Sequence, residues 1–163
     1  MNILTIDVAG DVVLIEYVKA VKGQAQNIKE TLPFLCPDVG YIEKMLSDSK
    51  AIVILAKDKS NIVGVVGGWL QGTPSGYKDE DKILREHGAY SEAHLDWIAV
   101  KEEYRERGVG ANLVQKACDW ARKNRKEKIW VEASKHKAEF YKKKSFMLIG
   151  RFIGEKEEEL YNV

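Results

Sequence analysis

A strand that runs into a glycine-bearing turn and then into an amphipathic helix constrains this chain more than any other feature. His94-Leu95-Asp96-Trp97-Ile98-Ala99-Val100 reads as a strand. The charged turn Lys101-Glu102-Glu103-Tyr104 follows, and then Arg105-Glu106-Arg107-Gly108-Val109-Gly110. Beyond it Leu113, Val114, Ala117, Cys118 and Ala121 recur at the i, i+3, i+4 spacing of one helix face, which predicts a helix to about Asn124. Lys123, Arg125 and Lys126 suit its C-terminal dipole. A short apolar strand at Ile129–Ala133, a short helix at Ala138–Lys144 and a strand at Phe146–Ile153 complete the second half. Strand, helix, strand, helix, strand requires a mixed sheet with at least one parallel crossover, an α/β (α+β) class.

The turn carries chemistry of its own. Glycine at Gly108 and Gly110 permits backbone conformations and close approaches that a side chain would block. The first amides of the helix have no internal partners and point outward with the positive end of the dipole, so a phosphate can accept several at once. Arg105 and Arg107 add charge at the rim. A nucleotide P-loop requires Gly-Lys-Ser/Thr, which is missing, and the dinucleotide fingerprint requires a third glycine where Leu113 stands. A tight turn without a ligand is the alternative reading of the two glycines.

The first half is read more coarsely. Ile3–Asp7 and Val12–Val18 are strand-like around a turn at Ala9–Asp11, and Gln24–Leu35 and Gly40–Leu46 read as short helices divided by Pro33 and Pro37. Ala51–Ala56 and Ile62–Leu70 suggest an antiparallel pair, the second weakened by Gly64, Gly67 and Gly68, whose presence points to a bulge or a close backbone approach. Gln71–Glu92 is a long polar connection of the kind that forms a binding loop or a solvated insertion. With 163 residues, no repeat and no composition shift, a single domain over 1–163 is expected.

Charge and cysteine content exclude several functions. Lys plus Arg number 26 against 25 acidic residues, so no global field draws nucleic acid or an anionic membrane. Cys36 and Cys118 lie in no metal-ligand spacing, so neither a disulfide framework nor a metal site is expected. Without a basic leader followed by an apolar run, or a stretch able to span a bilayer, the expected location is cytoplasmic.

Val100, Tyr104, Arg105-x-x-Gly108-x-Gly110-x-x-Leu113 and, downstream, Phe140-Tyr141-Lys142-Lys143-Lys144-Ser145-Phe146 together resemble the two signatures of the GNAT acetyltransferase superfamily. The resemblance implies a central mixed, mostly antiparallel sheet flanked by helices, and acetyl-CoA as acyl donor with no metal. It implies that the pyrophosphate of coenzyme A rests on the amides of Arg105, Glu106, Arg107, Gly108, Val109, Gly110 and Ala111. The pantetheine arm then pairs with Ile98, Ala99 and Val100, and the Ile98 amide polarises the thioester carbonyl, a fixed donor worth about 3 kcal/mol. Ser134 stands where the family often has a cofactor-contacting asparagine, and Ser145 where it often has glycine.

Acetyl transfer to an amine needs a neutral nitrogen and a proton for the departing thiolate. Glu92, His94 and Asp96 alternate with period two along the strand and so share a face. His94 falls where histone-acetylating members place a base, and its reference pKa of about 6.5 suits that role. Glu92 acting through water is second and Asp96 third; lining a polar face is the alternative for all three. Tyr141 matches the tyrosine that protonates the thiolate in the family. The expected activity is direct transfer to a primary amine: a small molecule, a polyamine or a protein amino group. A non-catalytic acyl-CoA-binding regulatory module is the alternative function, and a homodimer is left open.

Overall fold

A computed structural model describes the backbone of residues 3–6, 12–70, 93–153 and 157–162, and the side chains of 14–70, 93–134 and 136–147. The turn at Ala9–Asp11, the connection Gln71–Glu92 and therefore Glu92 itself lie outside these residues. The chain divides into two compact units, Met1–Gly68 with Trp97–Ala117, and Trp69–Asp96 with Cys118–Val163.

In the first unit β1 (Ile3–Ile6) pairs antiparallel with β2 (Val12–Lys19), Ile3 opposite Ile15 and Ile6 opposite Val12. Strand β2 in turn pairs antiparallel with β3 (Ala51–Asp58), Ile15 opposite Asp58 and Lys19 opposite Ile54. The next strand, β4 (Asn61–Trp69), follows after the two residues Lys59 and Ser60, a connection that only an antiparallel hairpin allows. Lys59 takes the left-handed conformation at φ 55° to make it. Residues 51–56 of β3 and 62–68 of β4 are buried without alternation, as expected for strands covered on both faces.

Two short helices lie between β2 and β3. Helix α1 (Ala25–Thr31) ends two residues before Pro33, and α2 (Val39–Ser47) begins two residues after Pro37. Asp38 caps α2: its Oδ1 accepts from the Tyr41 amide at 2.9 Å. Ile28 of α1 with Ile42 and Met45 of α2 supplies the buried faces.

Strand β5 (Ala93–Val100) leads through a 3-10 turn at Glu102–Tyr104 into α3 (Val109–Lys123). The buried stripe of α3 is Val109, Leu113, Val114, Ala117 and Ala121, whereas Cys118 is only half-buried. In the second unit Ala93, His94 and Leu95 of β5 pair parallel with Ile129, Trp130 and Val131 of β6 (Ile129–Ser134), the crossover that the element order demands.

Helix α4 (Lys135–Lys142) follows, then β7 (Met147–Ile153) and β8 (Glu157–Asn162). Strand β8 pairs antiparallel with both β6 and β7, so it lies between them. The acidic composition of Glu157–Glu159 carries no strand signal, and the charge run reads as a solvated face from sequence alone. Left-handed residues follow both helices: Arg125 (φ 59°) after α3 and Ser145 (φ 66°) after α4. After α4 the Phe146 amide reaches back to the Tyr141 carbonyl at 3.2 Å and the Ser145 amide to Lys142 at 3.0 Å.

Candidate active site

In the first unit the end of β5, the turn and the start of α3 bring ten of the expected cofactor residues together. Ala99 is buried, while Ile98 and Val100 are half-buried at the strand end. Arg105, Glu106 and Gly108 are exposed, and Arg107, Gly110 and Ala111 half-buried. Val109 turns inward at 1% exposure and anchors the first turn of the helix.

The two glycines of the turn have different duties. Gly108 sits at φ 79°, where a side chain is strained, and a Cβ placed there would meet nothing closer than Asn112 Nδ2 at 3.9 Å. Gly110 lies within α3, in its first turn, so no unusual backbone angle demands it. Glu106 is left-handed too, at φ 60°, and a non-glycine residue there is a local strain of the kind that gathers at binding loops. Left-handed residues two positions apart, with Arg107 outside the positive-φ region between them, allow successive amides to face one side, as an anion-binding concavity requires.

Side chains hold this turn against the sheet. The Tyr104 hydroxyl donates to Asp58 Oδ2 at 2.7 Å, and that acceptor pushes the Tyr104 hydroxyl up to about 12. Arg105 Nε donates to the Val100 carbonyl at 3.2 Å, and the Lys101 amide to the Val63 carbonyl at 2.9 Å. The Arg107 guanidinium lies 5.7 Å from the centre of the Tyr104 ring. Within α3, Asn112 Nδ2 donates to the Tyr17 hydroxyl of β2 at 3.3 Å. Desolvation raises the Tyr17 pKa, and the Asn112 bond opposes it.

The glycines of β4 are explained by close approach. A Cβ on Gly64 would lie 3.1 Å from Leu113 Cδ1 and 3.2 Å from the Ala99 carbonyl, so glycine lets the first turns of α3 pack onto the sheet. A Cβ on Gly67 would lie 2.3 Å from Trp97 Nε1. That indole nitrogen donates to Met45 Sδ at 3.2 Å, which ties β5 to α2.

The second unit holds the remaining described candidates. His94 is 9% exposed and stacks on Trp130, ring centres 3.9 Å apart and planes 10° from parallel. The parallel register explains the stack, because His94 lies opposite Trp130. Burial lowers its pKa to about 4, against a smaller upward pull from Asp96. The imidazole is therefore a weaker base than its reference value implies.

Tyr141 is buried between Phe140 and Phe146, with ring centres at 5.0 and 5.4 Å and both contacts edge to face. Burial pushes its hydroxyl above the usual tyrosine range. Ser134 ends β6 and precedes α4, and its hydroxyl makes no capping bond. Among the described residues no group of three or more His, Cys, Asp or Glu is placed to hold a metal ion. No helix among them is long and apolar enough to cross a membrane.

Residues 23–146 match the model of the acetyltransferase (GNAT) family. The chain belongs to the GNAT acetyltransferase family. The GNAT match takes in the glycine turn, the β5 strand and Tyr141. Solved structures agree on the GNAT fold. Arabidopsis thaliana NAA60 in complex with acetyl-CoA is 14% identical, with a TM-score of 0.71 over 91% of this chain and 97% of its own. A GNAT acetyltransferase from Elizabethkingia anophelis with acetyl-CoA bound is 15% identical, with a TM-score of 0.63 over 91% and 97%. An agmatine N-acetyltransferase variant in its apo form is 14% identical, with a TM-score of 0.69 over 91% and 98%. A comparison with curated proteins finds no match.

The brace formed by Asp58 and Tyr104 and the tie between Tyr17 and Asn112 are not legible in the sequence. They join residues 46 and 95 positions apart, and only the folded sheet brings them together.

Proposed function

We propose that this GNAT chain is an acetyl-CoA-dependent N-acetyltransferase, that residues 1–163 act as one catalytic domain, and that acetyl passes directly from the thioester to a primary amine in a ternary complex. The observation that carries the reading is the turn itself. Glu106 and Gly108 are held left-handed at the entrance to a fifteen-residue helix, and arginines stand at either side of Glu106. Diphosphate oxygens accept from the amides of 105–111, with Arg105 and Arg107 supplying charge. Two of the structural neighbours are complexes with acetyl-CoA, which supports the same donor here.

In the proposed step the lone pair of a neutral amine attacks the thioester carbonyl carbon. The Ile98 amide holds the developing oxyanion, the carbon–sulfur bond breaks, and the amine nitrogen loses a proton. Burial keeps the Tyr141 hydroxyl protonated and so able to hydrogen-bond the departing thiolate, and the GNAT resemblance assigns it the further role of proton donor as charge develops on sulfur. Burial leaves the His94 imidazole at about 4, no stronger a base than an ordinary carboxylate. It therefore keeps no advantage over Glu92 acting through water, which takes the proton in this reading, with Asp96 third. His94 on Trp130 then serves as an uncharged wall, and Ser134 as a polar contact to the donor. Burial pushes the Cys36 and Cys118 thiols up to about 11 each, which favours direct transfer over a thiol-borne acyl intermediate.

The test is acetyl-CoA turnover, read as free-thiol release, against a panel of agmatine, polyamines, lysine peptides and peptides with free N-termini. Amine-dependent release supports the reading. Binding of coenzyme A without release to any amine assigns the non-catalytic module instead.

A further inference from the structure

The turn from Lys101 to Gly108 carries two left-handed residues, yet Glu102, Glu103, Arg105, Glu106 and Gly108 are all exposed. Such a conformation persists only where the surroundings over-determine it, and exposed residues contribute little packing toward that end. Hydrogen bonds supply the further restraint: Arg105 Nε to the Val100 carbonyl and the backbone bonds inside the turn, and two bonds that reach across to the β3–β4 hairpin. The Lys101 amide is tied to Val63 at 2.9 Å at the start of the turn, and Tyr104 is tied to Asp58 at 2.7 Å at its middle. The second is a hydroxyl donating to a carboxylate, the stronger class of bond.

We propose that Asp58 and Tyr104 are positioning residues for acyl donor binding. Their bond holds the 105–110 backbone in the anion-accepting conformation before the donor arrives. It also places Arg107, whose guanidinium rests on the face of the braced Tyr104 ring. The inference rests on the reading of 105–111 as the diphosphate site. It goes beyond that reading by giving a role to the β3–β4 hairpin, which contributes no residue to the signature. Loss of the bond reduces the fraction of molecules with a competent turn, and the apparent dissociation constant rises by the same factor. Turnover at saturating donor is then preserved.

The experiment compares wild type, Tyr104→Phe, Asp58→Asn, Asp58→Ala and the Tyr104→Phe/Asp58→Ala double variant. Phenylalanine keeps the ring beneath Arg107 and removes only the donor; asparagine keeps an acceptor oxygen. Amide hydrogen exchange over 105–110 is measured without ligand, coenzyme A affinity by calorimetry, and kcat separately from KM. Tyr104→Phe and Asp58→Ala are expected to speed exchange and to weaken coenzyme A about five- to tenfold, with kcat within about twofold. Asp58→Asn recovers most of the loss, and the double variant is no worse than either single one.

Unchanged exchange and affinity in Tyr104→Phe, or a fall in kcat at constant affinity, overturns the proposal. If wild type does not bind coenzyme A, the functional reading fails, and the exchange rates still decide whether the brace exists. If Tyr104→Phe does not fold, the contrast between Asp58→Asn and Asp58→Ala carries the test.

Discussion

Acidifying the protein from about pH 7.5 to about pH 4 forces a choice on His94 that its surroundings resist. The imidazole is 9% exposed and covered on one face by Trp130, so the charged form loses hydration and the pKa falls to about 4. In the unfolded chain the same group titrates near 6.5. Between these values the unfolded state binds more protons than the native one, so stability rises with pH across the window. The His94 contribution is complete above about pH 6.5 and is lost as pH falls toward 4. Linkage with these two values gives a loss of about 2 kcal/mol by pH 5 and about 3 kcal/mol by pH 4. Urea unfolding of wild type and His94→Gln across this range isolates the group, because every other titration is shared. The difference in stability between the two should shrink with acid by that amount. Parallel curves, or an imidazole resonance that titrates near pH 6.5 in the folded protein, would refute the reasoning.

Three substitutions probe other parts of the account. Gly67→Ala places a methyl 2.3 Å from Trp97 Nε1 and forces the indole off Met45; overpacking of this kind should cost about 1–3 kcal/mol in thermal or urea unfolding. Ser145→Gly relieves a left-handed serine at φ 66°, and after the extra unfolded-state entropy of glycine a gain of about 0.5–1 kcal/mol is expected, seen as a higher Tm. Tyr141→Phe keeps the contacts with Phe140 and Phe146 but removes the proton donor. It should lower kcat about 10²- to 10⁴-fold in steady-state assays with coenzyme A affinity unchanged, and an unchanged kcat would reduce Tyr141 to aromatic packing.

What the sequence makes legible follows the range of the interactions involved. Helix α3 is readable because Leu113, Val114, Ala117 and Ala121 repeat locally, and it ends at Lys123, one residue before the expected Asn124. The glycine turn is readable for the same reason, although the angles divide its glycines: Gly108 needs its freedom and Gly110 does not show such a need. Ser145 is visible as a departure from the family pattern, and its positive φ gives the physical reason that glycine is favoured there. Strand β8 escapes notice because Glu157–Glu159 is a poor strand former locally and is ordered by pairing with β6 and β7. The low pKa of His94 depends on its burial in the folded sheet, where a tryptophan from another strand stacks on it, and the tie from Asp58 to Tyr104 on a hairpin far back in the chain. Neither leaves a local trace.

The central claim is that the turn from Arg105 to Gly110 receives the diphosphate of acetyl-CoA, and calorimetric titration with coenzyme A and with pantetheine, which lacks the diphosphate along with the adenosine and its 3′-phosphate, addresses it most directly. The account predicts that wild type binds coenzyme A far more tightly than pantetheine, and that Gly108→Ala, which strains the backbone at φ 79° without a steric clash, weakens coenzyme A while leaving pantetheine unaffected. Equal affinity for the two ligands, or a Gly108→Ala variant that binds coenzyme A as wild type does, would contradict it.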